Sequence, residues 1–218
     1  MTRGSIHVIA GWAIYVGLLA IPEQRIVEGG SAWYWAMDGL SFVVAPAVLV
    51  LLAASRRVVT ARDLRYWFPR VSVIDWILQT IAVSALLWSA AYVCSLLGHA
   101  LGFEDARHFS YAEVLPTGWS RSAAIVYLAS TAAVSQEVCF RGLLHALLRQ
   151  ANWKHSIQFY VPVSTLTFTV VHWDKGPTTM ASAALFGFVA AYLFSRRGHL
   201  GQLISAHFLV DLFWLGRI

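Results

Sequence analysis

The chain has 218 residues, of which 58% are hydrophobic and only 12% are charged, and its mean hydropathy is +0.62. Soluble domains carry about twice this fraction of charged residues, so the composition excludes an ordinary soluble protein and indicates one integral membrane domain over residues 1–218. The net charge of +5 is accounted for by basic loops, and no RNA- or DNA-binding motif accompanies it, so nucleic acid is not an expected partner.

Seven apolar segments are long enough, or nearly so, to cross a membrane as helices, which takes about 20 residues. In chain order they cover residues 6–22, 33–55, 75–97, 120–148, 156–173, 178–195 and 200–216. They predict an all-α polytopic membrane bundle of about seven transmembrane helices. We interpret the first segment as a retained span rather than a signal peptide, because no convincing cleavage site follows it.

Basic residues are concentrated in alternate connections between these segments, and such residues favour the cytoplasmic side. The second, fourth and sixth connections hold Arg56, Arg57, Arg62, Arg65, Arg70, Arg149, Lys154, Arg196 and Arg197. The first, third and fifth hold Glu23, Glu28, Glu104, Asp105, Glu113 and Asp174. The alternation predicts a cytoplasmic N-terminus and an outside C-terminus. We expect the membrane to be the cytoplasmic (inner) membrane of a prokaryote. Residues 56–72 are interpreted as a loop that fixes this topology, with a lipid-bound amphipathic segment as the alternative.

Ionisable side chains inside apolar spans are costly, and they usually face the protein interior and mark function. Those well inside the segments are Asp38, Glu137, Arg141, His207 and Asp211, and His172 lies near the end of the fifth segment. Glu137 and Arg141 are four residues apart, so they share a helix face and can pair. His207 and Asp211 have the same spacing, which lets the carboxylate orient the imidazole ring. Either pair alone is also typical of a contact that pins two helices.

Three spaced motifs follow one another in the second half of the chain. The first reads Gln136-Glu137-Val138-Cys139-Phe140-Arg141 and is followed by Gly142, the second runs from Phe168 to His172, and the third from His207 to Asp211. Together they resemble the CPBP superfamily, the CAAX protease and bacteriocin-processing family of Rce-like intramembrane endopeptidases, whose motifs are EExxxR, FxxxH and HxxxN or HxxxD. The resemblance covers residues 135–213, within a catalytic-motif region of about 120–216.

The resemblance implies an intramembrane glutamic endopeptidase, a hydrolase with no cofactor and no metal. In the family, the first glutamate of EExxxR and the histidine of FxxxH activate the attacking water, which assigns that role to position 136 and His172. The second glutamate and the arginine, here Glu137 and Arg141, are implied to hold the site together. The last motif is implied to stabilise the oxyanion, here through His207 and Asp211.

Three aromatic residues are candidates for substrate binding: Phe140, Phe168 and Trp173. The favoured interpretation of the two phenylalanines is packing around the site, and that of Trp173 is anchoring at the lipid headgroups. Asp38 is interpreted as hydrogen-bonded to a helix neighbour, with a place in the cavity wall as the alternative. The remaining histidines are interpreted as interfacial: His7, His99, His108, His145, His155 and His199.

The chain departs from the family pattern at Gln136, where the first glutamate is expected. The carboxylate of Glu137 is stabilised in its ionised form by Arg141 and is therefore a poor base, so position 136 is the better place for a proton acceptor. A glutamine amide cannot take up a proton, so we expect substrate binding without turnover. Gln136 is either an engineered change that inactivates an active parent or a natural feature of a non-catalytic homologue; its near-isosteric shape favours the first.

The resemblance implies a protein or peptide substrate with a membrane-embedded or lipidated C-terminal segment, and membrane lipid as the second partner. The family includes enzymes that trim prenylated C-termini, enzymes that process bacteriocins, and sorting peptidases sometimes called myxosortases. At about 1.5 Å rise per residue, the motif residues fall in the middle to outer half of the membrane. The predicted cavity therefore opens to the non-cytoplasmic side, which suits the sorting peptidases.

Other classes of function stay open at this point. Cys139 could act as a thiol nucleophile, although no basic neighbour in sequence would activate it. Histidines and carboxylates could bind zinc, although no HExxH motif is present and Arg141 would repel a cation. Transporters also pair ionisable groups within spans, but usually contain repeats. A scaffold or immunity protein that binds a peptide without cutting it is the strongest non-enzyme alternative.

Overall fold

A computed structural model describes residues 3–68, 71–103, 111–150 and 156–217, and within these ranges the chain is helical with no strand. The helices are α1 Arg3–Leu19, α2 Glu23–Glu28, α3 Ser31–Gly39, α4 Ala45–Ser55, α5 Ala61–Trp67, α6 Val73–Ala100, α7 Trp119–Gln136, α8 Leu144–Gln150, α9 Ser156–Val170, α10 Pro177–Arg197 and α11 Leu200–Leu215. Outside the described residues lie Arg70, Glu104, Asp105, His108, Lys154 and His155.

Among the described residues, four helical stretches are long and apolar enough to cross a membrane: Ser31–Ser55, Val73–Gly98, Trp119–Gln150 and Pro177–Arg197. Shorter apolar helices run Gly4–Leu19 and Leu200–Leu215, and α9 has 15 residues. In the described part of the chain, helices therefore occupy all seven predicted positions, four of them at full spanning length. The prediction of an all-α polytopic membrane bundle is confirmed.

Two of the long stretches are interrupted by π-helical turns. One turn, Leu40–Val44, joins α3 to α4, and the other, Glu137–Leu143, joins α7 to α8. Pro46 follows the first turn and has no N–H to donate to the carbonyl four residues before it, which favours a local departure from α-helical bonding. π-helical turns are frequent at functional sites, and the second one carries both Glu137 and Arg141.

The helices around the motif residues approach one another closely. α10 makes extensive contacts with α9 and α6, and α11 packs against α6 and α7. A Cβ atom at Gly187 of α10 would lie only 3.1 Å from Cδ1 of Phe168 on α9. A Cβ at Gly142 would lie 3.0 Å from Cζ2 of Trp67, which is buried. The two glycines therefore let helices pack directly beside the π-helical turn and the Phe168 ring.

Asp63 holds α5 against the end of α8, outside the spanning segments. It is 1% exposed, accepts hydrogen bonds from the backbone N–H and the hydroxyl of Thr60 at 2.9 and 2.7 Å, and pairs with Arg149. Burial alone would raise the pKa of Asp63, but the Thr60 hydrogen bonds and the Arg149 guanidinium outweigh it and hold the pKa below its usual value.

Substituting Asp63→Asn should lower the free energy of unfolding by about 1–3 kcal/mol at pH 7, because hydrogen bonds to a charged acceptor are lost. The pKa of Asp63 is lower in the folded than in the unfolded chain, where it is about 3.9. The stabilisation is therefore present above that value and disappears as the pH falls through the folded-state pKa. Unfolding in detergent at pH 7 and at a pH of about 2.5 measures the difference, with the exposed Asp75→Asn as control. An equal difference at both pH values would contradict the expectation.

Candidate active site

Glu137 and Arg141 form an ion pair inside the bundle, on the π-helical turn Glu137–Leu143. Both residues are fully buried, and Nη1 of Arg141 lies 3.3 Å from Oε1 of Glu137. The guanidinium also lies over the ring of Phe168, 4.3 Å from its centroid, which is a cation–π contact. No nitrogen of the guanidinium has a well-aligned hydrogen bond within the described residues. The charge of Arg141 is therefore balanced chiefly by this one carboxylate.

His207 on α11 connects this ion pair to a second carboxylate. Its Nδ1 lies 2.8 Å from Oε1 of Glu137, and its Nε2 lies 3.4 Å from Oδ2 of Asp211. The 2.8 Å separation is that of a good hydrogen bond, whereas 3.4 Å is longer than the usual N–H···O range. Glu137 therefore fixes the orientation of the His207 ring more firmly than Asp211 does. This contact between helices had no signal in the sequence spacing.

His172 lies just beyond the end of α9 and is oriented by its own backbone. Its Nδ1 lies 2.8 Å from the carbonyl oxygen of Phe168. A carbonyl oxygen only accepts hydrogen bonds, so Nδ1 carries the proton and the neutral ring has its lone pair at Nε2. Nε2 of His172 is thereby prepared to accept a proton.

A cavity of about 440 Å³ lies beside these groups. Among the predicted site residues, it is lined by Gln136, Phe168, His172, His207 and Asp211. Gln136 is 8% exposed, while the adjacent Glu137 is fully buried. Successive residues of a helix point about 100° apart, which places the amide in the cavity wall and the carboxylate behind it. Position 136 and His172 therefore open onto one space.

The part of the chain that contains the three motifs also matches a known family. Residues 117–213 match the family model described as type II CAAX prenyl endopeptidase, Rce1-like. This segment is similar to the Rce1-like family. It is somewhat less than half of the chain, and it contains all three motifs and every predicted catalytic residue. The resemblance is confirmed, and the general class is that of a membrane protease. No curated protein and no solved structure matches the chain.

Within the Rce1-like segment, two of the predicted substrate contacts are not placed at the cavity. Phe140 is fully buried and packs edge-on against Trp12 and Phe168. Trp173 is 51% exposed, and its indole N–H donates to the carbonyl oxygen of Ala20 at 2.8 Å. Neither residue lines the cavity: the structure places Phe140 in the core, and Trp173 connects its loop to the end of α1. Of the three, Phe168 alone lines the cavity.

The alternative nucleophile and the alternative metal centre find no support in the geometry. Cys139 is fully buried in the hydrophobic core and does not line the cavity. Within the described residues, no group of three or more His, Cys, Asp or Glu side chains is placed to hold a metal ion.

The cavity also has a polar end built by the connections, which the sequence motifs did not reveal. Nζ of Lys175 lies 2.9 Å from Oε1 of Glu23, and the backbone N–H of Glu23 donates to Asp174 at 2.9 Å. Burial alone would lower the pKa of Lys175, but the Glu23 carboxylate outweighs it and holds the pKa above its usual value. Glu23, Lys175 and Tyr111 all line the cavity. The available signal was their opposite charge in two connections that the predicted topology places on one side.

Asp38 differs from its sequence-based interpretation. Its hydrogen-bond partner is the Tyr127 hydroxyl on α7 rather than a neighbour on its own helix. It is 7% exposed and lines the cavity. The alternative that placed Asp38 in the cavity wall therefore describes its position.

Proposed function

We propose that this cavity is the active site of an intramembrane glutamic endopeptidase in which Gln136 occupies the position of the base, so that the chain binds its peptide without cutting it. The observation that carries the proposal is that Gln136 and His172 line one cavity, while the Glu137–Arg141 pair stands intact behind it. All the groups that the family needs are present except a proton acceptor at one position.

In the active parent, a carboxylate at position 136 and Nε2 of His172 would take the proton of a water molecule as its oxygen bonds to the peptide carbonyl carbon. The carbonyl oxygen becomes an oxyanion, which N–H donors stabilise. The C–N bond then breaks, the same base returns the proton to the leaving amine, and the products are a carboxylic acid and an amine. Each proton is thus taken and returned inside the cavity.

The contacts of His207 support its role at the oxyanion. Glu137 accepts from Nδ1 at 2.8 Å, while Nε2 makes only the longer 3.4 Å approach to Asp211. Both neighbours are carboxylates, which only accept hydrogen bonds and favour the imidazolium form of His207, with an N–H on each ring nitrogen. The N–H at Nε2 can therefore donate partly to a developing oxyanion. Glu137 and Arg141 act through this ring, because the buried ion pair fixes the carboxylate that orients it.

His172 alone makes an incomplete base. Its Nδ1–H donates to a backbone carbonyl rather than to a carboxylate, so no acidic partner stabilises the imidazolium that proton uptake would create. In proteases with a catalytic histidine, such a carboxylate contributes strongly to the rate. Gln136 has a neutral amide at the position where a carboxylate would supply this negative charge. Turnover should therefore be very slow.

We further propose a substrate cut near its C-terminus and attached to the membrane by an apolar or lipidated segment, as for the sorting peptidases of the family. The positions of Lys and Arg support a cavity open to the non-cytoplasmic side of a prokaryotic inner membrane. The alternative function is a non-catalytic peptide-binding scaffold or immunity protein, in which Gln136 would be the natural residue.

Gln136→Glu should create hydrolytic activity, about 10²–10⁴-fold above that of the chain as it stands, because it supplies the missing base. The chain and the variant are expressed in membranes with the proteins of the native host, and mass spectrometry searches for new C-termini. Gln158→Glu, the same change at an exposed position of α9, is the control.

New C-termini only with Gln136→Glu would support the proposal and identify the substrate. With both proteins folded and the host proteins present, equal peptide patterns would rule out a latent protease and favour the scaffold.

A further inference from the structure

The acidic residues of the cavity are not all balanced by cations. Three acids line it: Glu23, Asp38 and Asp211. Glu23 pairs with Lys175 at 2.9 Å, and Asp211 approaches His207 at 3.4 Å. Asp38 forms no ion pair within the described residues, and its Oδ2 atom has no hydrogen-bond partner there.

Asp38 lies in a wall of the cavity together with its neighbours on the same helical stretch. Asp38 is 7% exposed, and Tyr34, Met37, Ser41 and Phe42 of the same helical stretch also line the cavity. The π-helical turn Leu40–Val44 begins two residues after Asp38, and such turns are frequent at functional sites. This wall lies outside residues 117–213, so the family motifs assign it no role.

An unpaired carboxylate in a largely apolar cavity is costly, and an occupant that brings a positive charge with N–H donors removes the cost. A metal ion is a poor fit, because the described residues offer no cluster of three ligands. An ammonium or guanidinium group instead needs one carboxylate and an apolar surface for its methylene chain. Met37 and Phe42 supply that surface.

We propose that Asp38 forms a substrate subsite that takes a basic side chain, a Lys or Arg of the bound peptide. The inference rests on the proposed function only in that the occupant is a peptide. The cation donates to the free Oδ2 atom, while Tyr127 keeps its hydrogen bond to the same carboxylate. Asp38 would then select which peptides enter the cavity and would take no part in the proton transfers.

Binding of synthetic peptides to the purified full chain in lipid nanodiscs tests the subsite. The probes are fluorescent apolar peptides in which each position in turn is lysine, or norleucine as an uncharged analogue of similar shape. At one position, the lysine peptide should bind about tenfold more tightly or better, as for a hydrogen-bonded charge pair. Asp38→Asn should lose this preference, and its affinity for the norleucine peptide should be equal to or higher than that of the unaltered chain.

Two control variants and a third peptide sharpen the result. Glu113→Gln removes one negative charge from an exposed residue that does not line the cavity, and it should keep the lysine preference. Asp38→Glu keeps the negative charge and should keep part of the lysine preference. A glutamate peptide should bind the unaltered chain more weakly than the norleucine peptide, a measurement that holds even if Asp38→Asn fails to fold.

The possible outcomes separate the subsite from the proposed function. Equal affinity for lysine and norleucine peptides at every position overturns the subsite and leaves the proposed function standing. The subsite is equally overturned if the lysine preference survives in folded Asp38→Asn. If no peptide binds the folded chain, the subsite and the proposed function both fail.

Discussion

Arg141→Met should lower the free energy of unfolding by about 3–5 kcal/mol, because it leaves the buried carboxylate of Glu137 without its counter-ion. Both side chains are fully buried and lie 3.3 Å apart. Unfolding in detergent, followed by helical circular dichroism, measures the loss. Arg196→Met, the same change at the exposed end of α10, should stay within about 0.5 kcal/mol.

A double-mutant cycle separates the ion pair from simple packing. Adding Glu137→Leu to Arg141→Met removes both charges, so the double variant should be more stable than either single one. Recovery should be incomplete, because His207 loses the partner that holds its Nδ1. If the loss of unfolding free energy in the double variant equals the sum of the losses in the two single variants, the two charges do not stabilise each other.

The sequence predicted those parts of the site that lie within one helix. Glu137 with Arg141, and His207 with Asp211, are close in space because four residues make about one helical turn, whatever the rest of the bundle does. The seven helix positions were likewise readable, since apolar length alone defines a span.

Contacts between helices were not predictable in the same way. The hydrogen bond from His207 to Glu137 joins residues 70 positions apart, and it depends on how α11 packs against the π-helical turn. The Glu23–Lys175 pair likewise depends on two connections meeting above the cavity. Side-chain direction depends on the same packing: Phe140 lies inside a functional motif, and its ring lies in the core.

The two halves of the chain contribute differently to one cavity. Residues 117–213 supply the motif groups, whereas the described residues before them supply Glu23, Asp38 and much of the opposite wall. Chemistry and selection of the peptide can therefore vary separately. A change at Asp38 should alter which peptide binds, and a change at His172 should alter only what happens to it.

In the Gln136→Glu background, His172→Ala should remove most of the acquired activity, lowering kcat by about 10²–10⁴-fold. The variant keeps the carboxylate at position 136 but lacks the second proton acceptor, Nε2 of His172, which is unprotonated because Nδ1 donates to the Phe168 carbonyl oxygen. Turnover of the peptide identified with Gln136→Glu gives the rate, and binding of that peptide to His172→Ala in the Gln136 chain gives the affinity. The exposed His7→Ala on α1 is the control.

A fall in kcat with affinity retained separates catalysis from packing, because a histidine that only supported the fold would weaken binding and unfolding stability together. Activity within about threefold of the Gln136→Glu parent would instead show that the acid works without His172. The base would then be the carboxylate at position 136 alone, and the proposed inactivity of the present chain would follow from Gln136 alone. Either result fixes how many groups share the proton.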